Sequence, residues 1–456
     1  MTDASPRLHT GSHDPQVSPG LSRLMGGGWS PTPLPASARV EAYDVTPARR
    51  ALLSARFPGE RLIVPAGELK VRSHDCDHRF RPHSAYAWLT GLTGEDQAGH
   101  VLVMEPEGPH GHEPVLYLRP RSRRAEGDDA FYRDRRYGEF WVGRRPELAE
   151  AERLTGLRCA PLETLGSPPG RRATEDAELD AALSELRLVK DPWEVDQLQL
   201  AVDHTTAGFE DVVRALPHAL AHRRGERWIE GVFGLRARAE GNGTGYETIA
   251  ASGAHACVLH WIRNDGRLDR NELLLLDAGV ETDTLYTADI TRTLPLSGRF
   301  SPVQRQVYEL VLAAQEAGMA ALRPGAAFRD FHRAAMRVIA EGLAEWGVLK
   351  NAEGDLHRRY TLCGSGHMLG LDVHDCAKAR TETYPDGLLT EGQVLTVEPG
   401  LYLQPDDETL PAELRGIGVR IEDDLVVTAT GARLMSGALP RTVAGIEEWM
   451  GNLLEG

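Results

Sequence analysis

The chain of 456 residues is long enough for two or three domains with sizeable cores. Its formal charge of -16 argues against a nucleic-acid binder and against docking on an anionic membrane. No stretch approaches the roughly 18 consecutive apolar residues of a membrane span, and five widely spaced cysteines without a CxxC pair suit a reducing cytoplasm rather than a disulfide framework.

Residues 1–36 open on MTDASPRLHTGSHDPQVSPG, lack the apolar core of a secretory signal, and read as a flexible polar arm. A helix is expected over about 37–56. RLIVPAG, HVLVMEP and PVLYLRP then read as strands, and RSRRAEGDDAFYRDRRYGEF as a polar helical stretch. The alternation makes 37–175 an α/β domain. LGSPPGRRATED, around Pro168–Asp176, is a turn-rich break, so a second domain is expected over 176–456. Asp191 and Pro192 supply the cap and first-turn signal of a long helix through VDQLQLAVDHTTAGFEDVVRAL. Further helices are expected over about 225–239, 302–321 and 328–346, interleaved with short apolar strands.

Five residues on those strands and turns have metal-binding chemistry: Asp277 in LLLLDAG, Asp289 in YTADITRTLPL, His367 in GSGHMLGLDVHD, Glu398 in QVLTVEPGLYL and Glu422 in GIGVRIEDDLVV. Four carboxylates and one imidazole form a hard, oxygen-rich set suited to divalent cations. Asp277 and Asp289 lie on two apolar runs joined by a polar stretch, the pattern of a hairpin that would bring them to one face. Two bare carboxylates about 4 Å apart repel by roughly 4 kcal/mol at an effective dielectric of about 20. If all four acids converge, two divalent cations balance them. Strand alternation puts Arg420 on the same face as Glu422, where a guanidinium can brace carboxylates. The run RSHDCDHRFRPH is set aside as a metal site, because successive residues of an extended chain point to opposite faces. HExxH, P-loop, GxSxG and GxGxxG motifs are absent.

The order of these motifs, with DITRT, LGLDVHD, TVEPGLYL and GIGVRIEDD close to their usual wording, resembles the dinuclear pita-bread metallopeptidases, and within them the Xaa-Pro aminopeptidases (aminopeptidase P). AYAWLTGL and GEFWVGRR in the first domain carry the resemblance toward the N-terminus. The resemblance implies an α/β (α+β) fold, with a creatinase/prolidase-like N-terminal domain and a pita-bread catalytic domain. It supplies the convergence that spacing cannot: Asp277, Asp289, His367, Glu398 and Glu422 as ligands of two divalent ions per subunit, Mn2+ ahead of Zn2+ or Co2+. It makes Glu398 the proton carrier as well, His260 and His374 the groups facing the scissile carbonyl, and Arg420, Tyr402 and Cys363 neighbours of the proline pocket. The implied reaction is attack of a metal-bridging hydroxide that releases the residue before a proline. The implied enzyme is a cytoplasmic homo-oligomer, dimer or tetramer, acting on peptides without nucleic-acid or membrane partners. A prolidase would share every ligand but take dipeptides only, and a non-catalytic peptide-binding module of the same fold would be expected to lose ligands. Two departures stand out. Asp277 and Asp289 are one position further apart than the family pattern, most simply by a longer hairpin tip, with a bulge as the alternative. Cys363 occupies the place of a substrate-facing histidine.

Overall fold

Runs of β-branched and leucine side chains between turn residues build the first unit around a sheet. The computed structural model describes residues 17–125 and 128–455, so the expected arm before residue 17 lies outside the described residues. Contacts divide the chain into two units, with the division between Ala182 and Leu183. In the first, Ser18 caps a short helix α1 (Pro19–Met25), and the Trp29 ring meets Phe131 edge-on at 5.3 Å. The helix expected from residue 37 begins later, as α2 (Thr46–Arg56), with a proline in its first turn; Pro fixes φ for helix entry and disfavours helix in the residue before it. Strands β1 (Leu62–Pro65), β2 (Val101–Glu107), β3 (Gly111–Leu118), β4 (Arg158–Pro161) and β5 (Arg171–Arg172) form one sheet in the order β4-β3-β2-β1-β5. Its centre is antiparallel, Leu62 facing Met104 and Val101 facing Tyr117, and Leu62, Ile63, Val103 and Leu116 are buried in its core.

Among its described residues, the stretch expected to be helical at 121–140 holds just two short helical turns, Ala130–Arg133 and Glu139–Val142. Asp134 explains the break: its carboxylate accepts the N–H groups of Arg136 and Tyr137, the local competition by which Asp unseats a helix.

The second unit follows the helix signals more closely. Asp191 caps α3 (Pro192–Ala221) in a reciprocal capping box with Glu194. α4 (Gly225–Glu240) packs against it, with Phe209 and Phe233 edge-on at 6.1 Å. Three strands follow, β6 (Ile249–Ser252), β7 (Leu273–Ala278) and β8 (Ile290–Pro295), paired antiparallel with β7 central. α5 (Pro302–Ala321) has a Ser301 capping box, and α6 (Asp330–Glu345) is amphipathic. Next come β9 (Val394–Val397), β10 (Gly400–Leu403), β11 (Ile417–Arg420), β12 (Asp423–Thr428) and β13 (Gly431–Leu434); β9-β12-β13 form one sheet and β10-β11 a ladder. Phe328, Phe331, Met368, Leu395, Val397 and Leu425 pack together as one buried cluster.

The longer aspartate spacing has a clear answer. β7 and β8 stay in register from Leu273–Pro295 to Ala278–Ile290 without a shift. The extra residue is taken up in the connection, where buried Leu285 adopts a left-handed φ of 70°. Tyr286 at this tip donates its hydroxyl to Glu194 at 2.7 Å.

Candidate metal centre

Every proposed ligand comes from the end of a short strand or from a turn beside one. Asp277 is the penultimate residue of β7, and Asp289 immediately precedes β8. Glu398 follows β9, and Glu422 lies between β11 and β12. Glu422 N–H donates to Thr291 O at 3.1 Å, and Glu398 N–H to Ser365 O at 2.8 Å. His367 arrives on a turn whose Gly366 has φ 154°; a Cβ there would lie 2.2 Å from Thr396 O, so only glycine lets this backbone come so close.

The side chains converge. His367 Nε2 lies 3.3 Å from Asp289 Oδ2 and 3.4 Å from Glu398 Oε1. One donor atom each from Asp289, His367 and Glu422 falls within 4.8 Å of the others. All five residues line a cavity of about 240 Å³, together with His260, His374, Cys363 and Arg420. Arg420 donates to Asp277 Oδ2 at 2.5 Å, to Thr291 Oγ1 at 3.1 Å and to Tyr402 Oη at 3.0 Å. Tyr402 is thus buried behind Arg420. The His374 ring meets the His367 ring edge-on at 4.4 Å.

The electrostatics ask for cations. Burial and then the Asp289 charge push the Glu422 carboxyl well above its ordinary range. Asp277 is raised by burial and by Asp289, although Arg420 opposes. Burial likewise raises Glu398 to about 7, with His367 opposing and Asp289 adding to it. His367 is raised to about 9: burial would lower it, but its bond to Asp289 and the Glu398 charge prevail. His374 moves the other way, lowered by burial and by its neighbours His367 and His260. An imidazole kept neutral in this way still has one N–H to donate.

Tyr246 sharpens the case and was missed by the sequence reading. Its hydroxyl lies 2.6 Å from Asp277 Oδ1 and 2.5 Å from Asp289 Oδ1. A phenol has one proton, so it donates to one of these oxygens at a time. The second close oxygen needs a carboxyl proton or a cation to hold it there. The donor set therefore fits divalent metal: buried acids gathered beyond what one arginine and one imidazole can neutralise. Thr291, which donates to Glu422 Oε2 at 2.6 Å, was also missed. Its place in DITRT was a usable signal; Tyr246 stands in the polar run GNGTGYET and offered none.

Comparison with known proteins agrees with this geometry. Residues 196–429 match the model of metallopeptidase family M24, and residues 47–167 that of the aminopeptidase P N-terminal domain. The chain is 53% identical to Xaa-Pro aminopeptidase 1 of Streptomyces coelicolor over 467 aligned positions, covering 96% of this chain and 93% of the relative. Against the Xaa-Pro aminopeptidase of Escherichia coli the identity is 30%, covering 88% and 96%. Among solved structures, E. coli aminopeptidase P with the inhibitor Pro-Leu superposes with a TM-score of 0.78 at 28% identity, covering 93% of this chain and 100% of that one. Pseudomonas aeruginosa aminopeptidase PepP gives 0.76 at 29%, covering 93% and 100%.

Proposed function

The chain belongs to metallopeptidase family M24, with an aminopeptidase P N-terminal domain ahead of a pita-bread catalytic unit, and from that premise we propose a metal-dependent hydrolase that releases the N-terminal residue from peptides with proline second. It is an enzyme of the Xaa-Pro aminopeptidase kind rather than a prolidase. One observation carries the reading: three buried carboxylates, a half-buried fourth in Glu398, and one imidazole facing a single cavity, in a chain aligned almost end to end with its relatives.

In this reading Asp277, Asp289, His367, Glu398 and Glu422 hold two divalent cations. Mn2+ suits the oxygen-rich set, with Zn2+ and Co2+ as rivals. When bound, the cations supply Lewis acidity that activates water and polarises the carbonyl. The remaining chemistry belongs to the side chains. An Xaa-Pro bond is a tertiary amide without N–H, so its nitrogen must gain a proton to leave. Glu398 takes the proton from the attacking water and passes it to that nitrogen. His374 and His260 line the same cavity and offer N–H groups to the developing oxyanion. Asp277 faces the free α-amine, while Arg420 pins Asp277 in place through their 2.5 Å contact. Cys363 stands on the proline side, with burial and then Glu398 holding its thiol protonated, and Tyr402 backs that wall from behind Arg420.

No helix among the described residues is long and apolar enough to cross a membrane, and the five cysteines are free thiols. Both are compatible with work in the cytoplasm, as a homo-oligomer of two or four copies. The deciding assay pairs a dipeptide with a tripeptide, Leu-Pro against Leu-Pro-Ala, with chelated and metal-restored protein. Cleavage of the tripeptide only when metal is restored is expected. Cleavage of the dipeptide alone would make the protein a prolidase, and binding without cleavage in metal would make it a peptide-binding module.

A further inference from the structure

A buried ionic cluster lies directly behind His374, outside the groups assigned above. Asp375 and Lys190 side chains are each 1% exposed, and Lys190 Nζ reaches Asp375 Oδ2 at 2.9 Å. Arg187, 7% exposed, approaches Asp375 Oδ1 at 3.1 Å and Asp372 Oδ2 at 3.3 Å. Lys190 Nζ also donates to Arg187 O, which ties the two cations into one unit. Both come from the short stretch leading into α3, and the Lys190 N–H is fixed by Gly392 O.

The loop they hold is closed on itself. Asp375 N–H donates to Met368 O at 2.9 Å, joining the two ends of a segment that starts beside His367 and ends with His374 and Asp375. Gly370 O within it accepts the N–H of Thr287, from the tip that connects β7 to β8. A Cβ on Gly370 would stand 2.1 Å from Asp375 Oδ2, so the loop closes over the carboxylate more tightly than any side chain allows. Burial alone would raise the Asp375 carboxyl; Lys190 and Arg187 outweigh it and hold it below its ordinary range. A buried ion pair can often be replaced by well-packed apolar groups without loss of stability. Its clearest value here is directional, since a carboxylate between two cations has one position where an apolar side chain has several.

We propose that Lys190 and Arg187 are positioning residues for the hydrolysis: by gripping Asp375 they fix the loop that presents the His374 imidazole to the cavity. The proposal rests on the role given to His374 above. Neither cation lines the cavity, and their effect reaches the reaction through His374.

The test uses the full metal-loaded enzyme and Leu-Pro-Ala. Lys190→Met should lower kcat by roughly 10- to 100-fold, the range seen when partners that orient functional groups are removed. KM and metal content should hold, and Lys190→Arg should restore most of the rate. Because Lys190→Met leaves a poorly compensated buried acid and risks the fold, the paired change Lys190→Met with Asp375→Leu removes both charges and should show the same loss of kcat. In a His374→Ala background either change should cost no further kcat, since residues acting as one unit are not additive. An equal loss in both backgrounds, or a loss that tracks metal content, would overturn the positioning role. Normal turnover in His374→Ala alone would overturn it from the other side, by removing the role of His374. A wild-type enzyme that leaves Leu-Pro-Ala intact would instead sink the substrate reading on which both depend.

Discussion

Glu422 and Asp423 are neighbours in the chain, 1% and 0% exposed, and live in opposite worlds. Glu422 turns toward the cavity, where burial and then the other carboxylates drive its carboxyl well above its ordinary range. Asp423 turns away and is met at 2.7 Å by Arg292, itself 1% exposed, at 2.6 Å by the Ser436 hydroxyl and at 2.8 Å by the Gln315 amide. The difference teaches how to tell a structural acid from a functional one when both are buried. Asp423 has its cation and hydrogen bonds within the protein, whereas Glu422 has mostly other acids for company, and the site it belongs to holds more acid than Arg420 and His367 can balance. Asp375, gripped by Lys190 and Arg187, belongs with Asp423 by this measure although it adjoins the site.

The largest expected effect comes from removing an acid on the site side. Glu422→Ala or Asp289→Ala should abolish hydrolysis and strip most of the bound metal. Elemental analysis returning two ions per chain in either variant would break the contrast at its root. On the other side, Arg292→Met leaves Asp423 without its principal cation and should cost roughly 3–5 kcal/mol of unfolding free energy. Chemical denaturation measures this, and the folded fraction should still take up metal; metal loss ahead of unfolding would mean the two faces are not separable.

Smaller effects sharpen the boundary between holding metal and doing chemistry. His374→Ala should keep its metal and lose about 10²–10³ in kcat, the cost typical of a lost oxyanion donor. A variant stripped of metal would contradict that division of labour. Tyr246→Phe removes a hydroxyl from between two ligands and should weaken metal binding by about 10- to 100-fold. Titration of the apo-protein with Mn2+ reads this directly, and unchanged affinity would reduce Tyr246 to packing.

Much of this was legible in the chain alone. Asp191 and Pro192 announce a helix start because a cap is satisfied within three residues of itself. Arg420 and Glu422 share a face because a strand alternates sides with each residue. The ligand types and their flanks sit inside short apolar runs, and those survive any error of a residue or two in element boundaries. What the sequence determined, then, is local: capping, periodicity and the chemistry of each candidate side chain. The tertiary structure decided which distant groups meet. Tyr246 reaches acids 31 and 43 positions away, and Lys190 grips an acid 185 positions away. The separation of Asp277 from Asp289 pointed to a longer tip but left a bulge open, and the unbroken pairing of β7 with β8 bears out the tip. Periodicity says which way a side chain points along its own element, but carries no record of the distant segment whose close packing and buried charge will answer it.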